Sequence, residues 1–352
     1  MKTARKASKK SESLVLMGDY TLTQYSAAIF QRGLTIIKEL EKEAVISFPD
    51  PGLDAAVRIA VNKPCGDLKY KDIKDLKTLN GSRQKISSLD GIEQLVSLKE
   101  LHLMGNEISS LDLLAQLVSL RSLNLSHNRI REITGLAKLK NLNRLYLGRN
   151  QIADIQPLAE LTNLKDLVLS YNEIEDIGPL ATLRLLEELH LTGNKIREVS
   201  GLERLKKLRV LSISGNQIAH IDCLAGLKGL EKLWLSNNLI KNPDGLKGMK
   251  KLQVLYLGSN QIREIDSLVS LIELKELDLS DNLIENIRPL TTNINLNELR
   301  LSTNRVRNIN VLLNLNNLGI VELDHNPIHP NDNVASRHVL VQLAQRGCLI
   351  KI

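Results

Sequence analysis

Cysteine, histidine and clustered carboxylates are the residues of this 352-residue chain that could carry chemistry. Cys65, Cys223 and Cys348 stand alone, without the paired spacing that a zinc site or a disulfide framework requires. Isolated thiols of this kind are typical of a reducing compartment. The sequence contains no glycine-rich phosphate loop and no nucleophile with a general base in a recognisable context. We therefore predict no catalytic residue, no cofactor, no small-molecule substrate and no enzymatic activity.

An asparagine that recurs every 22 residues is the strongest pattern in the chain. Each asparagine stands in the same frame of leucine and isoleucine. In the repeat that begins at Leu142 this frame consists of Leu142, Leu145, Leu147, Asn150, Ile152, Ile155, Leu158 and Leu161. Eleven consecutive copies indicate leucine-rich repeats. We call the recurring residues the ladder asparagines: Asn106, Asn128, Asn150, Asn172, Asn194, Asn216, Asn238, Asn260, Asn282, Asn304 and Asn326.

The spacing within one repeat predicts how it folds. Leu145 and Leu147 are two residues apart, so they share one face of a short strand, while Tyr146 points the other way. The return segment is too short for a long helix and favours 3₁₀ turns, helped by Pro157, Pro179 and Pro289. A repeat cannot bury its apolar side alone, so neighbours must stack. The predicted fold is an α/β solenoid, a right-handed leucine-rich-repeat horseshoe with a parallel sheet on its concave face and a helical cap at each end.

The ladder asparagines are predicted to have a structural role. A side-chain amide offers two donors and an acceptor, and these residues stand where the chain leaves each strand. There they can satisfy backbone groups that would otherwise be buried without a partner. Gln84 occupies the same position one period earlier, in a poorer first repeat.

Four segments are predicted along the chain. Residues 1–45 hold a basic tail and an amphipathic helix from about Ser26 to Ala44, which either docks on the cap or binds a partner. Residues 46–83 form a helical N-terminal cap, with Asp50 as N-cap, an apolar stripe ending in Ala60 and Val61, and a second helix over 71–76. Residues 84–326 are the repeats. Residues 327–352 form a helical C-terminal cap that Asp332 or Asn333 can start.

The sequence resembles the internalin-type bacterial leucine-rich-repeat proteins. Phe48-Pro49-Asp50-Pro51-Gly52-Leu53 is similar to the opening of the internalin cap, and repeats of 22 residues follow it. The repeat is also similar to the 22-residue class in the regulatory subunit of protein phosphatase 1. The resemblance covers about residues 46 to 330 and implies protein recognition on the concave face.

The strand residues that face away from the core should form the binding surface. Between Gln84 and Pro330 the aromatic residues are Tyr146, Tyr171, Trp234 and Tyr256, and three of them lie between paired leucines, although core positions were available. Such residues are frequent interface anchors, but cross-strand aromatic pairs also stabilise a sheet by themselves. The predicted partner-binding residues are Tyr146, Val168, Tyr171, His190, Trp234, Tyr256, Glu276, Asp278 and Glu298.

Carboxylates dominate the last repeats of the same surface. Glu276, Asp278, Asp281, Glu298, Glu322 and Asp324 follow one another there, interrupted by Arg300. They could be a solvated face, a weak metal site or a patch that steers a basic partner, and we predict no metal ligand. Lys206, Lys207, Lys250 and Lys251 are expected to form a solubilising face on the convex side.

The formal net charge of +7 lies mainly in the first ten residues, which carry five Lys or Arg and no acid. The predicted function is a non-catalytic scaffold for another protein, and the chain is expected to be monomeric. The alternative is an anionic nucleic-acid or membrane-surface binder that acts through the basic tail. No apolar run is long enough for a signal peptide or a membrane span, which predicts a cytoplasmic protein; a secreted or surface protein is the alternative if the chain starts upstream.

Overall fold

The computed structural model describes residues 31–32, 43–328 and 334–352. Its centre is a single open sheet of 13 parallel strands in which each strand pairs with the next along the chain. From β1 to β12 the register steps by one repeat, so Leu145 lies opposite Leu167. Each strand has three residues: β1 Thr78–Asn80, β2 Glu100–His102, β3 Ser122–Asn124, β4 Arg144–Tyr146, β5 Asp166–Val168, β6 Glu188–His190, β7 Val210–Ser212, β8 Lys232–Trp234, β9 Val254–Tyr256, β10 Glu276–Asp278, β11 Glu298–Arg300, β12 Ile320–Glu322 and β13 Leu349–Lys351.

Short 3₁₀ helices form the return segments, as the repeat length predicts. Pro157, Pro179 and Pro289 each lie within the first two positions of such a helix, where a missing backbone donor costs nothing. The 3₁₀ helices span Ile92–Gln94, Asp112–Gln116, Thr134–Lys138, Gln156–Glu160, Gly178–Thr182, Leu202–Arg204, Asp222–Gly226, Asp244–Leu246, Asp266–Ser270, Arg288–Thr292 and Asn310–Asn314.

The frame residues form one continuous core between the strands and the return segments. Leu145 and Leu147 from the strand side and Leu158 and Leu161 from the return side are fully buried, and the other repeats follow the same pattern. The core runs without a break from Phe48 to Cys348. Because each coil packs only on its neighbours, the stability of the solenoid depends on these interfaces and on the two caps.

The N-terminal cap contains two helices and the first strand. Helix α1, Pro51–Ala60, buries Leu53, Ala56 and Val57 against the first coil; Ala60, predicted on the same stripe, is exposed. Helix α2 covers Tyr70–Ile73, so it ends earlier than the predicted second helix. Ile73 is buried in the core, and Leu76, beyond the end of the helix, also packs against the core. Strand β1 pairs with β2, so the sheet starts ahead of Gln84.

The C-terminal cap contains helix α3, Val334–Gln345, which buries Val339 and Leu343 against the last coil. The chain then turns at Gly347, with φ of 82°, and adds strand β13 to the sheet. The sequence analysis did not predict this strand. The basic tail, most of the predicted Ser26–Ala44 helix and the candidate caps Asp332 and Asn333 lie outside the described residues. Among the described helices, none is long and apolar enough to cross a membrane.

Candidate functional site

The ladder asparagines join successive coils through their side chains. Asn194 Nδ2 donates to the carbonyl oxygen of Leu191 at 2.9 Å and to that of Leu169, one coil earlier, at 3.1 Å. Its Oδ1 accepts a hydrogen bond from the backbone amide of Ile174 at 3.1 Å. Every other ladder asparagine, from Asn106 to Asn326, makes the corresponding three contacts. These amides are occupied within the fold, so the binding surface must consist of other residues.

The residue before each ladder asparagine adopts a left-handed backbone conformation. Gly193 and Gly215 do so without cost, but Tyr171 does so with φ of 59° and Thr303 with φ of 56°. This conformation turns the Tyr171 side chain outward, where it is 50% exposed. The guanidinium of Arg149, one coil earlier, lies 4.4 Å from the centre of the Tyr171 ring, within the range of a cation–π contact.

The first and third residues of each strand point away from the core and form what we call the outer sheet face. In every strand except β3 and β13, both of these residues are more exposed than the buried central residue. In β8, for example, Leu233 is buried between an exposed Lys232 and a half-buried Trp234. The predicted residues Tyr146, Val168, His190, Tyr256, Asp278, Glu276 and Glu298 lie on this face with Trp234. Tyr171 lies beside it, in the turn that follows β5.

Five predicted residues come together on β8 to β11, and with Arg300 we call them the aromatic–acidic group: Trp234, Tyr256, Glu276, Asp278, Glu298 and Arg300. The rings of Trp234 and Tyr256 meet edge to face, with centroids 6.3 Å apart and planes at 76°. Tyr256 Oη donates to Glu276 Oε2 at 3.1 Å, and burial raises the pKa of the phenol. The Arg300 guanidinium lies 5.6 Å from the centre of the Tyr256 ring.

The carboxylates of this region are partly neutralised. Arg300 forms an ion pair with Glu298 and approaches Glu322 at 4.0 Å, while Lys351 lies 3.7 Å from Asp324. Asp278 instead accepts hydrogen bonds from Ser280, at 2.9 Å from the backbone amide and 2.6 Å from the hydroxyl. Within the described residues, no three His, Cys, Asp or Glu side chains are arranged to hold a metal ion. The group therefore offers two aromatic rings with mixed charges beside them.

Tyr146, Val168 and His190 form a second group on the consecutive strands β4 to β6. Burial lowers the pKa of His190, and burial together with the charge of Glu188 raises the pKa of Asp166. Strand β7 separates this group from Trp234. Tyr146 and Trp234 are four strands apart, which is roughly 19 Å at the usual strand spacing. The structure thus does not place Tyr146 beside Trp234.

Three residues within or beside these groups were not among the predicted site residues: Arg300 in the aromatic–acidic group, and Asp166 and Glu188 beside the second group. Arg300 occupies the same strand position as Trp234 and Tyr256 and could have been chosen on that ground. Asp166 and Glu188 occupy the first strand position, one residue before the buried leucine. A comparison of that column along the array, in addition to the residues between the leucines, would have identified both.

Sequence comparison identifies leucine-rich repeats over most of the array. The family described as leucine-rich repeats in two copies matches residues 118–160, 162–204, 206–248 and 250–292, and a single-copy leucine-rich-repeat family matches residues 94–115. Together the two families match more than half of the chain. No curated protein sequence matches it. Proteins with this fold are typically non-enzymatic interaction scaffolds, and no catalytic family is among those that match.

Solved structures with a similar fold include bacterial leucine-rich-repeat proteins. An internalin, InlF from Listeria monocytogenes, has 29% identity and a TM-score of 0.74, with 86% of this chain and 95% of that chain covered. The functional domain of InlJ from the same organism has 24% identity and a TM-score of 0.74, with 81% and 63% covered. A leucine-rich-repeat protein of Leptospira interrogans has 26% identity and a TM-score of 0.63, with 80% and 85% covered. The chain belongs to the leucine-rich-repeat family, as a solenoid of the internalin type.

Proposed function

We propose that this protein is a scaffold that binds a protein partner on the outer sheet face, with Trp234 and Tyr256 as the anchors. The observation that carries the proposal is their position. Both rings lie on the half-buried outer face of neighbouring strands rather than in the core, and they contact each other edge to face. Large aromatic residues in such positions provide much of the binding energy in protein interfaces.

The surroundings of the two rings favour a protein partner. Trp234 and Tyr256 are half-buried rather than buried, so part of each ring is accessible on the outer sheet face. Tyr256 is held by Glu276 and flanked by Arg300, which limits the side-chain freedom that binding would otherwise have to remove. The aromatic–acidic group therefore combines a pre-ordered apolar centre with a charged rim, which is the usual organisation of an interface.

Electrostatics supports a partner with a basic surface. Glu276, Asp278 and Asp281 carry no ion pair with any described residue, whereas the acids nearer the C-terminus share Arg300 and Lys351. Unpaired carboxylates at the rim of an interface mainly affect the rate of association and its salt dependence. The second group, around Tyr146 and His190, would then extend the contact along the sheet.

The proposal can be tested by site-specific photo-cross-linking in cells of the source organism. A cross-linking amino acid at Ser212, beside Trp234 on the outer sheet face, should trap a partner that is lost in the variant Trp234→Ala. The same partner should remain with Leu239→Ala, a matched loss of an exposed apolar side chain in a turn outside the sheet face. Equal capture by both variants would reject the outer sheet face as the binding site.

The basic tail offers a different function. Nucleic-acid or membrane binding through residues 1–10 stays a prediction, because the tail lies outside the described residues. Its five positive charges require a salt-dependent interaction, so a binding titration at low and high ionic strength, with these residues neutralised, tests it independently.

A further inference from the structure

A two-residue turn leads into each strand of the array, between two buried frame residues. Lys206 and Lys207, for example, stand between Leu205 and Leu208 and are both exposed. The turns therefore lie along one flank of the solenoid, beside the sheet. Lys206, Lys207, Lys250 and Lys251 belong to these turns, so the expectation that they lie on the convex side was wrong. We call the first residues of these turns the flank line: Val96, Val118, Lys140, Thr162, Arg184, Lys206, Lys228, Lys250, Ile272, Ile294 and Asn316.

The centre of the flank line is strongly basic. Between Lys140 and Lys250 it contains five cations and one threonine, and none of its eleven residues is acidic. The second residues of the same turns add Lys207 and Lys251 and include one acid, Glu273. Successive members lie one strand apart in an in-register sheet, so the charges form a row rather than a scatter.

The charges in this row are mostly unpaired. Among the residues that the structure describes, only Lys140 of the flank line has an ion pair, with Glu160 at 3.1 Å. Lys206 Nζ donates instead to the carbonyl oxygen of Gly226 at 3.2 Å, and Lys228 Nζ donates to that of Lys247 at 2.7 Å. A side chain at position 226 would crowd the ammonium of Lys206, because an added Cβ would lie 2.5 Å from Nζ. The fold thus holds these ammonium groups in line without neutralising them.

Exposed aliphatic side chains continue the line at both ends. Val96 and Val118 are 43% and 49% exposed, and Ile272 and Ile294 are 45% and 53% exposed. Four of the seven large apolar residues that are exposed within the repeats lie in this one column. Turn chemistry does not require β-branched residues there, since Lys, Arg and Asn occupy the same position in other repeats. Exposed apolar residues concentrated in this way indicate a contact surface.

We propose that the flank line docks the solenoid on a membrane surface that contains anionic phospholipids. A basic row attracts anionic headgroups, and aliphatic side chains on either side of it can enter the interfacial region. A nucleic acid would also attract the cations, but its phosphates would leave the four valine and isoleucine side chains without a role. Because this flank is distinct from the outer sheet face, a docked solenoid keeps its aromatic–acidic group free for a partner.

The test is sedimentation of the full chain with vesicles of phosphatidylcholine alone and of phosphatidylcholine with 30% phosphatidylserine. We expect binding only to the anionic vesicles, weakened at high salt. The variant K206E/K228E/K250E should bind about 100-fold more weakly, since each lysine near an anionic surface contributes several-fold. The variant V96S/V118S/I272S/I294S should bind about 10-fold more weakly. Urea unfolding of each variant establishes that it is folded.

Two matched controls locate the effect. The variant R131E/R263E/R307E changes the charge equally on the opposite flank, after the ladder asparagines, and should bind like the wild type. The variant K2Q/R5Q/K6Q/K9Q/K10Q neutralises the basic tail and should also retain binding.

The proposal is overturned if anionic vesicles are not bound, if the first control matches K206E/K228E/K250E, or if only the tail variant loses binding. It is also overturned if a DNA duplex is bound through Lys206, Lys228 and Lys250 while vesicles are not. Trp234→Ala should leave vesicle binding unchanged, so this result is independent of the proposed partner site.

Discussion

Asp50 accepts a hydrogen bond from the backbone amide of Ser87 at 2.8 Å, which joins the N-terminal cap to the first coil. The second oxygen of the same carboxylate caps helix α1, with Gly52 N at 2.9 Å and Leu53 N at 3.1 Å. Ser88 N adds a further bond to Asp50 Oδ2 at 3.1 Å. One side chain therefore starts the cap helix and fixes it on the solenoid, and the open end of the core depends on that attachment.

The contribution of Asp50 to the free energy of unfolding should depend on pH. Burial opposes ionisation of this carboxyl, but hydrogen bonds from Ser87, Ser88 and Leu53 outweigh it and hold the pKa below the ordinary value of 3.8. A carboxyl whose pKa is lower in the folded protein stabilises it above the unfolded value, and this stabilisation is lost as pH falls through the folded pKa. The free energy of unfolding in urea should therefore fall between pH 5.5 and pH 3 by more in the wild type than in Asp50→Asn. Equal slopes in the two proteins would mean that the carboxylate does not stabilise the cap.

Loss of a ladder asparagine should lower the free energy of unfolding far more than loss of an exposed asparagine that makes a similar hydrogen bond. Asn194→Ala removes three buried hydrogen bonds and leaves backbone groups of two coils without partners, which should cost about 1–3 kcal/mol of unfolding free energy. Asn163 also donates to a carbonyl of the preceding coil, Lys140 O, but at an exposed position, so Asn163→Ala should cost less than about 0.5 kcal/mol. Urea titrations of both variants measure the difference, and similar losses would contradict the role assigned to the ladder.

Asn293 should be replaceable with a gain in stability. It occupies a frame position that holds leucine in the neighbouring coils, Leu271 and Leu315, and it is completely buried. Its amide donates to two carbonyls that already accept backbone hydrogen bonds, while its Oδ1 has no partner among the described residues. Asn293→Leu should therefore stabilise the protein by about 1–2 kcal/mol. A loss of stability, measured by urea unfolding with Leu271→Met as a conservative core control, would show that the amide is required.

The left-handed position before the ladder asparagine allows a reciprocal test. Thr303 is β-branched and adopts φ of 56°, whereas Gly215 adopts φ of 65° at the equivalent position. A Cβ on Gly215 would come no closer than 3.5 Å to its nearest neighbour, Gly193 N, so no steric clash complicates the comparison. Thr303→Gly should stabilise by up to about 1 kcal/mol and Gly215→Ala should destabilise by a similar amount. Thermal unfolding of the pair would refute the argument if the two shifts had the same sign.

Much of this fold follows from the sequence because the same 22-residue pattern recurs in every repeat and defines several structural features at once. The two-residue spacing of Leu145 and Leu147 and the 22-residue step define the strands, their register and the outward direction of Trp234 together. Strand β13 could not be predicted in this way, because Leu349–Lys351 has no frame around it and reaches the sheet only through the return of helix α3. Asn293 also breaks the frame without changing the backbone, since two carbonyls of the previous coil accept its amide.

The sequence predicts which residues of the candidate site lie on the outer sheet face, but not which of their side chains contact one another. The 22-residue period and the position within each repeat place Tyr146 and Trp234 on the same face of the sheet. The two residues lie four strands apart, so they belong to separate groups on that face. The neutralisation of Glu298 depends on the direction in which the long side chain of Arg300 extends, which no spacing rule specifies. Likewise, the depressed pKa of His190 arises from burial by neighbouring strands rather than from its sequence context.

Loss of the Trp234 ring should weaken partner binding much more than it lowers the free energy of unfolding. Its ring contacts Tyr256 on the outer sheet face, so Trp234→Ala should lose only a cross-strand pair, which is about 0.2–1 kcal/mol of unfolding free energy. Leu233, the adjacent residue, is fully buried, and Leu233→Ala should cost about 2–5 kcal/mol.

Binding of the partner recovered by cross-linking should show the reverse order, with about 2 kcal/mol lost in Trp234→Ala because an interface anchor is removed. Asp278→Lys should instead slow association and reduce its salt dependence. These quantities are measured by urea unfolding and by surface plasmon resonance on the same preparations. Unchanged affinity in Trp234→Ala would exclude the ring as an anchor. A loss of folding free energy as large as that of Leu233→Ala would instead show that the ring belongs to the core.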